Sequence, residues 1–363
     1  MPEGINLRRL SELSSHDRAL LSVYLASPDS LDKAMRRIDD ISRLLKGNKD
    51  EYEQVEENRK LIRDHFDENH YESGSLCIFC CWVLDYFEVI PLALPVEDLV
   101  RVDSSPYIKP LAQMRDEYED YAVVVADNER ARIFLVAAGK TDTEKRVKGN
   151  IKNHVKVGGW SQQRYERRRD KEFEGYVREI VLRLTELDKD REFRRIIVVG
   201  GKEAVSEITR GLPPRLADKL VGEKPLDLKK GEKYVNREIF ELFVQAERKA
   251  EVTLWDRIKE SYYRGEPAAM GVEDVLTASQ AGRVDKAIAN RESGFEGRRC
   301  RDCEKLSTGQ PPKCPGCGSE SLFDVDLVNE IVELLTRTGA DIEFADEIEE
   351  LAEAGNIAAL LRY

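Results

Sequence analysis

The stretch Lys156-Val-Gly-Gly-Trp-Ser-Gln-Gln-Arg-Tyr-Glu-Arg-Arg-Arg169 joins a flexible tip to the start of a helix. Gly158 and Gly159 free the backbone for positive φ or for close approach to another molecule. From Ser161 onward the chain reads as helical, and Phe173, Tyr176, Val177, Ile180, Val181 and Leu184 continue one apolar face at helical spacing. Upstream, Tyr121–Ala126 and Ala131–Val136 are β-rich runs joined by Asp127-Asn128, a hairpin signal. Downstream, Arg195-Ile-Ile-Val-Val-Gly200 reads as a buried parallel strand feeding a helix. The middle of the chain is therefore α/β. Gly200-Gly201 lacks both Gly-x-Gly-x-x-Gly and Gly-Lys-Ser/Thr, so nucleotide binding there is not expected.

Between Lys145 and Lys171 ten Lys or Arg face two acids, Glu166 and Asp170, in a chain of net charge −12. A solvated helix usually alternates its charges; a one-sided run costs self-repulsion unless a polyanion offsets it. Trp160 follows the glycine pair, where little local structure can bury it, and an indole at a basic tip can stack on an unpaired base. These features favour nucleic-acid contact through Lys152, Lys156, Arg164, Arg167, Arg168 and Arg169, with Gly158, Gly159 and Trp160 as the loop tip.

In the first third, Leu20–Leu25 reads as a strand. Helical stripes over 30–46 and about 50–68, broken at Gly47-Asn48, form a helical hairpin. Ser75–Val83 and Tyr86–Ala93 read as adjacent strands, and Cys77, Cys80 and Cys81 inside them read as buried small hydrophobes rather than metal ligands. In the last third, Lys229–Lys233 is a polar bridge to a long helix of about 236–264, and helices, strands and turns then alternate to the end of the chain. Cys300-x-x-Cys303 and Cys314-Pro-Gly-Cys317, ten residues apart, place two thiol pairs on tight turns. Four thiolates make a closed tetrahedral site, hence structural zinc with no open position for catalysis.

Hydrophobic content of 41% with 35% charged residues over 363 residues is that of a soluble globular chain with room for two or three cores. No apolar run approaches the ~18–20 residues that span a bilayer, and the first residues lack a signal-peptide pattern. Paired cysteines suit a reducing compartment. The expectation is a cytoplasmic protein, monomeric and without membrane contact.

Gly158-Gly-Trp-Ser-Gln-Gln-Arg-Tyr-Glu-Arg167 resembles the Gly-Gly-Gln-Ser-x-Gln-Arg-Phe-x-Arg signature of archaeal and eukaryotic class I release factors. The hairpin at 121–138, Gly271-Val-Glu-Asp-Val-Leu276 and the ending Ala354-Gly-Asn-Ile-Ala-Ala-Leu-Leu-Arg-Tyr363 resemble that family's segments in the same order. The resemblance implies an α/β (α+β) chain of three domains. Residues 1–117 would be a decoding-centre-type α/β domain with the helical hairpin. Residues 118–237 would be a ribonuclease-H-like domain carrying the basic Gly-Gly loop. Residues 238–363 would be related to kink-turn-binding proteins, carry the zinc knuckle and dock a translational GTPase.

In that family the Gln of Gly-Gly-Gln positions the water that cleaves peptidyl-tRNA; Trp160 stands there in this chain. The codon-reading Asn-Ile-Lys-Ser is absent, with only Gly47-Asn48-Lys49 at the hairpin tip, and no Tyr-x-Cys-x-x-x-Phe surrounds Cys77–Cys81. The pattern implies a bacterial or archaeal paralogue of the release factor and Pelota group that enters the ribosomal A site without reading a stop codon. Two readings stand open. One is a binding factor for stalled or idle ribosomes, like Balon-like hibernation factors, contacting ribosomal RNA and P-site tRNA. The other is a peptidyl-tRNA hydrolase of the Vms type, using Gln162 or Gln163 as its catalytic residue.

Overall fold

The computed structural model describes residues 6–92, 94–117, 121–137, 140–148, 160–190 and 193–363; the side chains of 117, 137, 140–148 and 160–168 lie outside that description. The chain forms two compact units, one built from residues 1–117 together with 251–363 and the other from 118–250.

A short helix α1 (Leu7–Ser11) precedes strand β1 (Leu20–Leu25), the hairpin helices α2 (Leu31–Leu45) and α3 (Lys49–Glu68), and strands β2 (Ser75–Cys81), β3 (Tyr86–Leu92) and β4 (Leu99–Asp103). The strands form an antiparallel sheet in the order β3-β2-β1-β4. Asn48 caps α3 by accepting from the Glu51 amide, so the Gly47-Asn48 break is also a helix start. Every residue of β1 and β2 is buried. Leu21, Val23, Leu25, Leu76, Ile78 and Cys80 pack under α2 and α3 against Ile38, Val55 and Ile62. Tyr24, Cys77 and Phe79 point the other way, into a core completed by the last third of the chain. The cysteine trio is buried apolar packing, as expected, and burial raises the Cys77 and Cys80 thiols well above their ordinary range. Helix α4 (Lys109–Glu117), not foreseen from the sequence, closes this segment.

The second unit holds β5 (Tyr121–Ala126), β6 (Arg130–Ala137), β7 (Lys140–Lys148), α5 (Trp160–Asp190), β8 (Arg195–Gly200), α6 (Lys202–Gly211), α7 (Pro214–Ala217) and β9 (Leu220–Pro225). Its sheet runs β7-β6-β5-β8-β9, with β5–β6 and β6–β7 antiparallel and β5–β8 and β8–β9 parallel. Ile196 and Val198 face α5 and α6, while Ile197 and Val199 pack with Val235 and Phe243 of the next helix, α8 (Glu232–Arg264). Burial on both faces is why this strand reads as a continuous apolar run. Helix α8 begins inside the expected polar bridge, leaving only a short 3₁₀ turn at Leu228–Lys230, and residue 238 falls inside the helix.

Gly200 sits at φ +136°, and a Cβ there would lie 1.8 Å from the Ala126 carbonyl oxygen. That oxygen accepts the Gly201 amide at 2.8 Å, so the glycine pair closes the β5–β8 crossover by backbone contact. Gly200→Ala is expected to cost the second unit about 3 kcal/mol or more, read as a lower midpoint of its thermal unfolding.

The last segment adds β10 (Ala268–Met270), α9 (Val272–Gln280), β11 (Val284–Asn290), β12 (Glu296–Cys300), β13 (Leu306–Thr308), β14 (Leu322–Asp326), α10 (Leu327–Thr338), β15 (Asp341–Ala345), α11 (Glu349–Glu353) and β16 (Ile357–Leu361). One sheet runs β10-β16-β11-β15 and a smaller one β13-β12-β14. Asp326 caps α10 through the Val328 amide at 3.0 Å, and Gly339 ends it in the left-handed conformation.

The first and last segments are sewn together by buried polar bonds. The Asn329 carboxamide oxygen accepts the Ile108 and Lys109 amides at 2.8 and 3.0 Å. Tyr107 Oη donates to Asp326 at 2.8 Å, and Lys109 Nζ donates to the Ser293 carbonyl at 2.6 Å. Ser105 Oγ donates to Glu333 at 2.7 Å. With Phe79, Ile108, Leu111, Val328, Ile331 and Leu335 in one apolar cluster, residues far apart in sequence share a single core.

Candidate functional site

The four cysteines of the paired motif come together. Strand β12 delivers Cys300 at its last residue, and the turn to Cys303 is closed by the Glu304 amide donating to the Cys300 carbonyl at 2.9 Å. The second turn repeats this plan, the Gly318 amide donating to the Cys314 carbonyl at 2.9 Å, and Gly316 N–H donates to Cys314 Sγ at 3.3 Å. The Sγ atoms of Cys300 and Cys317 are 3.6 Å apart, those of Cys303 and Cys314 3.5 Å, and all four lie within 4.8 Å of one another. Tetrahedral zinc thiolates at about 2.3 Å require S···S separations near 3.8 Å, so the residues fit such an ion. Within the quartet the amides of Cys317 and Gly316 hold the Cys314 thiol low, at about 6, while bonds to the neighbouring thiols raise Cys303 and Cys317.

Between Cys300 and Cys303 the knuckle presents Arg301 to the first segment of the chain. Arg301 Nη1 bonds Asp17 at 2.5 Å, and Nη2 bonds the fully buried carboxylate of Glu51 in the first turn of α3. Glu51 also accepts from Arg18 Nε at 3.1 Å and from Arg18 Nη2 at 2.8 Å. The Arg301 and Arg18 guanidinium carbons lie 4.9 and 5.9 Å from the Phe323 ring centre. Burial raises the Glu51 pKa, and the hydrogen bonds from Arg18 and Arg301 more than reverse it, leaving the carboxyl below its ordinary value. A lowered carboxyl contributes stability above the unfolded pKa that is lost as pH falls through the folded one. This clasp weakens in acid.

A second buried group titrates the other way. Glu333 accepts from Ser105, from Asn329 at 2.7 Å and from Arg337 at 3.0 Å, and Arg299 lies 3.6 Å from Glu330. Burial, reinforced by the negative charge of Asp103, pushes Glu330 up to about 7. A raised carboxyl contributes fully below its unfolded pKa and loses that contribution as pH rises to the folded one. Glu330→Gln is therefore expected to raise the thermal midpoint more at pH 8 than at pH 5, checked by paired melting curves.

The loop residues are placed only in part. Gly158, Gly159, Lys152 and Lys156 lie outside the described residues. Trp160 is the first residue of α5, and Gln162 and Gln163 belong to its first turn, but their side chains and those of Arg164, Arg167 and Arg168 lie outside the description. Arg169 is half-exposed and donates to Glu203 at 2.9 Å. Among the described side chains, the core anchor of α5 begins at Phe173, about 20 Å along the axis from Trp160 at 1.5 Å per residue. Arginines in the first turns of a helix oppose its positive end, a conflict that an anion relieves.

Sequence reasoning missed Arg301, Glu51 and Asp17. Their only signal was an arginine inside a Cys-x-x-Cys pair, which does not name a partner some 250 residues away.

Comparison with known proteins shows what the chain is similar to. The model of the family described as Bacterial archaeo-eukaryotic release factor family 10 matches residues 106–248. Peptide chain release factor subunit 1 of Methanocaldococcus jannaschii is 27% identical over 302 residues, covering 73% of this chain and 71% of its own length. That of Thermococcus kodakarensis is 24% identical over 299 residues, with the same coverage. The chain is similar to archaeal class I release factors over 73% of its length. Solved structures similar to the chain include archaeal translation termination factor aRF1, at 19% identity and TM-score 0.27 over 98% of this chain and 96% of that one. Another is ribosome-bound archaeal Pelota, at 15% identity and TM-score 0.43 over 76% and 72%. Among the described residues, no helix is long and apolar enough to cross a membrane.

Proposed function

We propose that the protein is a release-factor-like translation factor that occupies the A site of stalled or idle ribosomes without reading a stop codon. Its basic loop reaches toward the peptidyl-transferase centre. The observation that carries this reading is Trp160 as the first residue of α5, where the resembling signature has its water-positioning Gln, within a segment of strongly basic sequence. An indole has no amide to orient water, and its volume competes with water for the tip. Lys152, Lys156, Arg164, Arg167, Arg168 and Arg169 neutralise ribosomal RNA, and Gly158 and Gly159 let the tip enter a narrow channel beside P-site tRNA.

In this reading 1–117 serves the decoding side and 118–237 carries the loop. The strand order β7-β6-β5-β8-β9 supports a ribonuclease-H-like core for the second of these. Residues 238–363 dock a translational GTPase, and Cys300, Cys303, Cys314 and Cys317 hold a structural zinc. The factor works as a monomer in the cytoplasm. The name of one structural relative, the model of ribosome-bound archaeal Pelota and ABCE1, accords with ribosomal work.

The second reading is a rescue hydrolase using Gln162 or Gln163, favoured by their place immediately after Trp160. Helical geometry weighs against it: with about 100° per residue, the two lie roughly 200° and 300° around the axis from Trp160. At most one faces the tip. Sedimentation with purified ribosomes at increasing salt tests the first reading. Failure to co-sediment at low salt would remove both.

A further inference from the structure

We propose that the open face of the five-stranded sheet is a site for single-stranded RNA, seating an unpaired base beside Phe134 and Phe240 with phosphates on Arg130 and Arg132. The inference goes beyond the ribosomal reading, because it requires only an unpaired base and described residues outside 149–159.

Strand alternation builds the face. Ala131, Ile133 and Leu135 of β6 are buried under α5 and α6, so Arg132, Phe134 and Val136 emerge on the opposite side. There α8 covers β8 and part of β5, with Phe243 stacked on Tyr121 at 4.6 Å and 26°, and reaches β6 through the Glu232–Arg132 pair. The result is a hollow of about 280 Å³ walled by Tyr121, Phe134, Asn236, Ile239 and Phe240, with the exposed carboxylate of Glu232 at its edge paired to Arg132. Phe240 is 65% exposed, an aromatic ring with its face unused. One turn before it on α8, exposed Asn236 makes no side-chain hydrogen bond among the described residues. It offers both a donor and an acceptor to a base edge.

Charge decides the occupant. The Arg132 guanidinium lies 4.6 Å from the Phe134 ring centre, and its ion pair with Glu232 is long, 3.5 Å, and solvated. In the β6–β7 register Arg132 pairs with Arg146 and Arg130 with Lys148, so the sequence sets cation opposite cation at both positions. Glu144, opposite Phe134, is the one acid among the residues of β7 paired with this stretch. An apolar peptide would bring no charge to these positions. A nucleic-acid strand supplies phosphates for the arginines and π-faces for the phenylalanines. A duplex, with its bases paired and stacked, cannot fill the hollow.

The test uses the full chain, a fluorescein-labelled oligoadenylate decamer and an RNA duplex of the same length, read by fluorescence anisotropy. Phe240→Ser and Asn236→Ala, both at exposed positions, are expected to weaken decamer binding, the first on the order of tenfold, while leaving duplex binding and thermal midpoint unchanged. Arg132→Gln is expected to lower the salt slope for the decamer by about 0.7. Arg167→Glu, in the loop segment, is expected to weaken decamer and duplex by similar factors. The proposal is overturned if the parent does not bind the decamer, or if Phe240→Ser and Asn236→Ala bind it as the parent does. It is also overturned if Phe240→Ser alters only self-association. Ribosome co-sedimentation of the same variants keeps the outcomes apart, since loss of this pocket leaves the loop-dependent ribosome contact in place.

Discussion

Cys314→Ser is expected to abolish binding of one zinc per chain and to loosen the first segment as well as the knuckle. Zinc–thiolate free energy in small knuckles is about 10–16 kcal/mol. The turn that the ion would close is the turn that aims Arg301 at Asp17 and Glu51. Without it, Glu51 keeps its bonds to Arg18 and loses one of its two cations, a charged hydrogen bond worth about 1.5–3 kcal/mol. Hydrogen exchange separates the effects. Metal loss should raise exchange in Lys49–Glu68 together with Glu296–Thr308, whereas Arg301→Ala should raise it in α3 with zinc retained. Full protection of α3 in the zinc-free chain would break the link between knuckle and hairpin.

Charge reversal in the loop segment carries the second large effect. Arg167→Glu with Arg168→Glu removes two cations from a segment that holds ten against two acids, and adds two anions at the start of α5. Removing one phosphate-binding cation lowers the salt slope of binding by about one, so the double variant should show a slope lower by about two. Ribosome affinity should fall on the order of a hundredfold near physiological salt. The N-terminal dipole of α5 tolerates the acids, so folding should survive. Unchanged co-sedimentation across a salt series would take the basic segment out of the account.

Much of this was legible before any coordinates. Helical spacing placed the α2–α3 hairpin, the β-rich runs placed β5, β6 and β8, and two Cys-x-x-Cys turns placed the four sulfurs that the fold gathers within 4.8 Å. Strand β7 was not legible: Lys140–Lys148 has Val147 as its one apolar residue and forms the edge of its sheet, where charge keeps other strands away. The small knuckle sheet escaped notice because its strands are only three to five residues long.

The joining of the first and last segments left one trace, the absence of alternation in Leu20–Leu25 and Ser75–Cys81. A strand buried on both faces needs a second cover. The sequence does not say that the cover is α10, some 250 residues on, because contacts such as Asn329 to Ile108 have no local signature. The loop departs from the signature it resembles at two residues, Trp160 for Gln and, conservatively, Tyr165 for Phe, and both were readable from the sequence alone.

The most direct test of the central claim is peptide release from purified ribosome–peptidyl-tRNA complexes that carry no stop codon, with the full chain bound at saturation. The account predicts bound factor and release no faster than in its absence. Multiple-turnover release that disappears in Gln162→Ala or Gln163→Ala would contradict it.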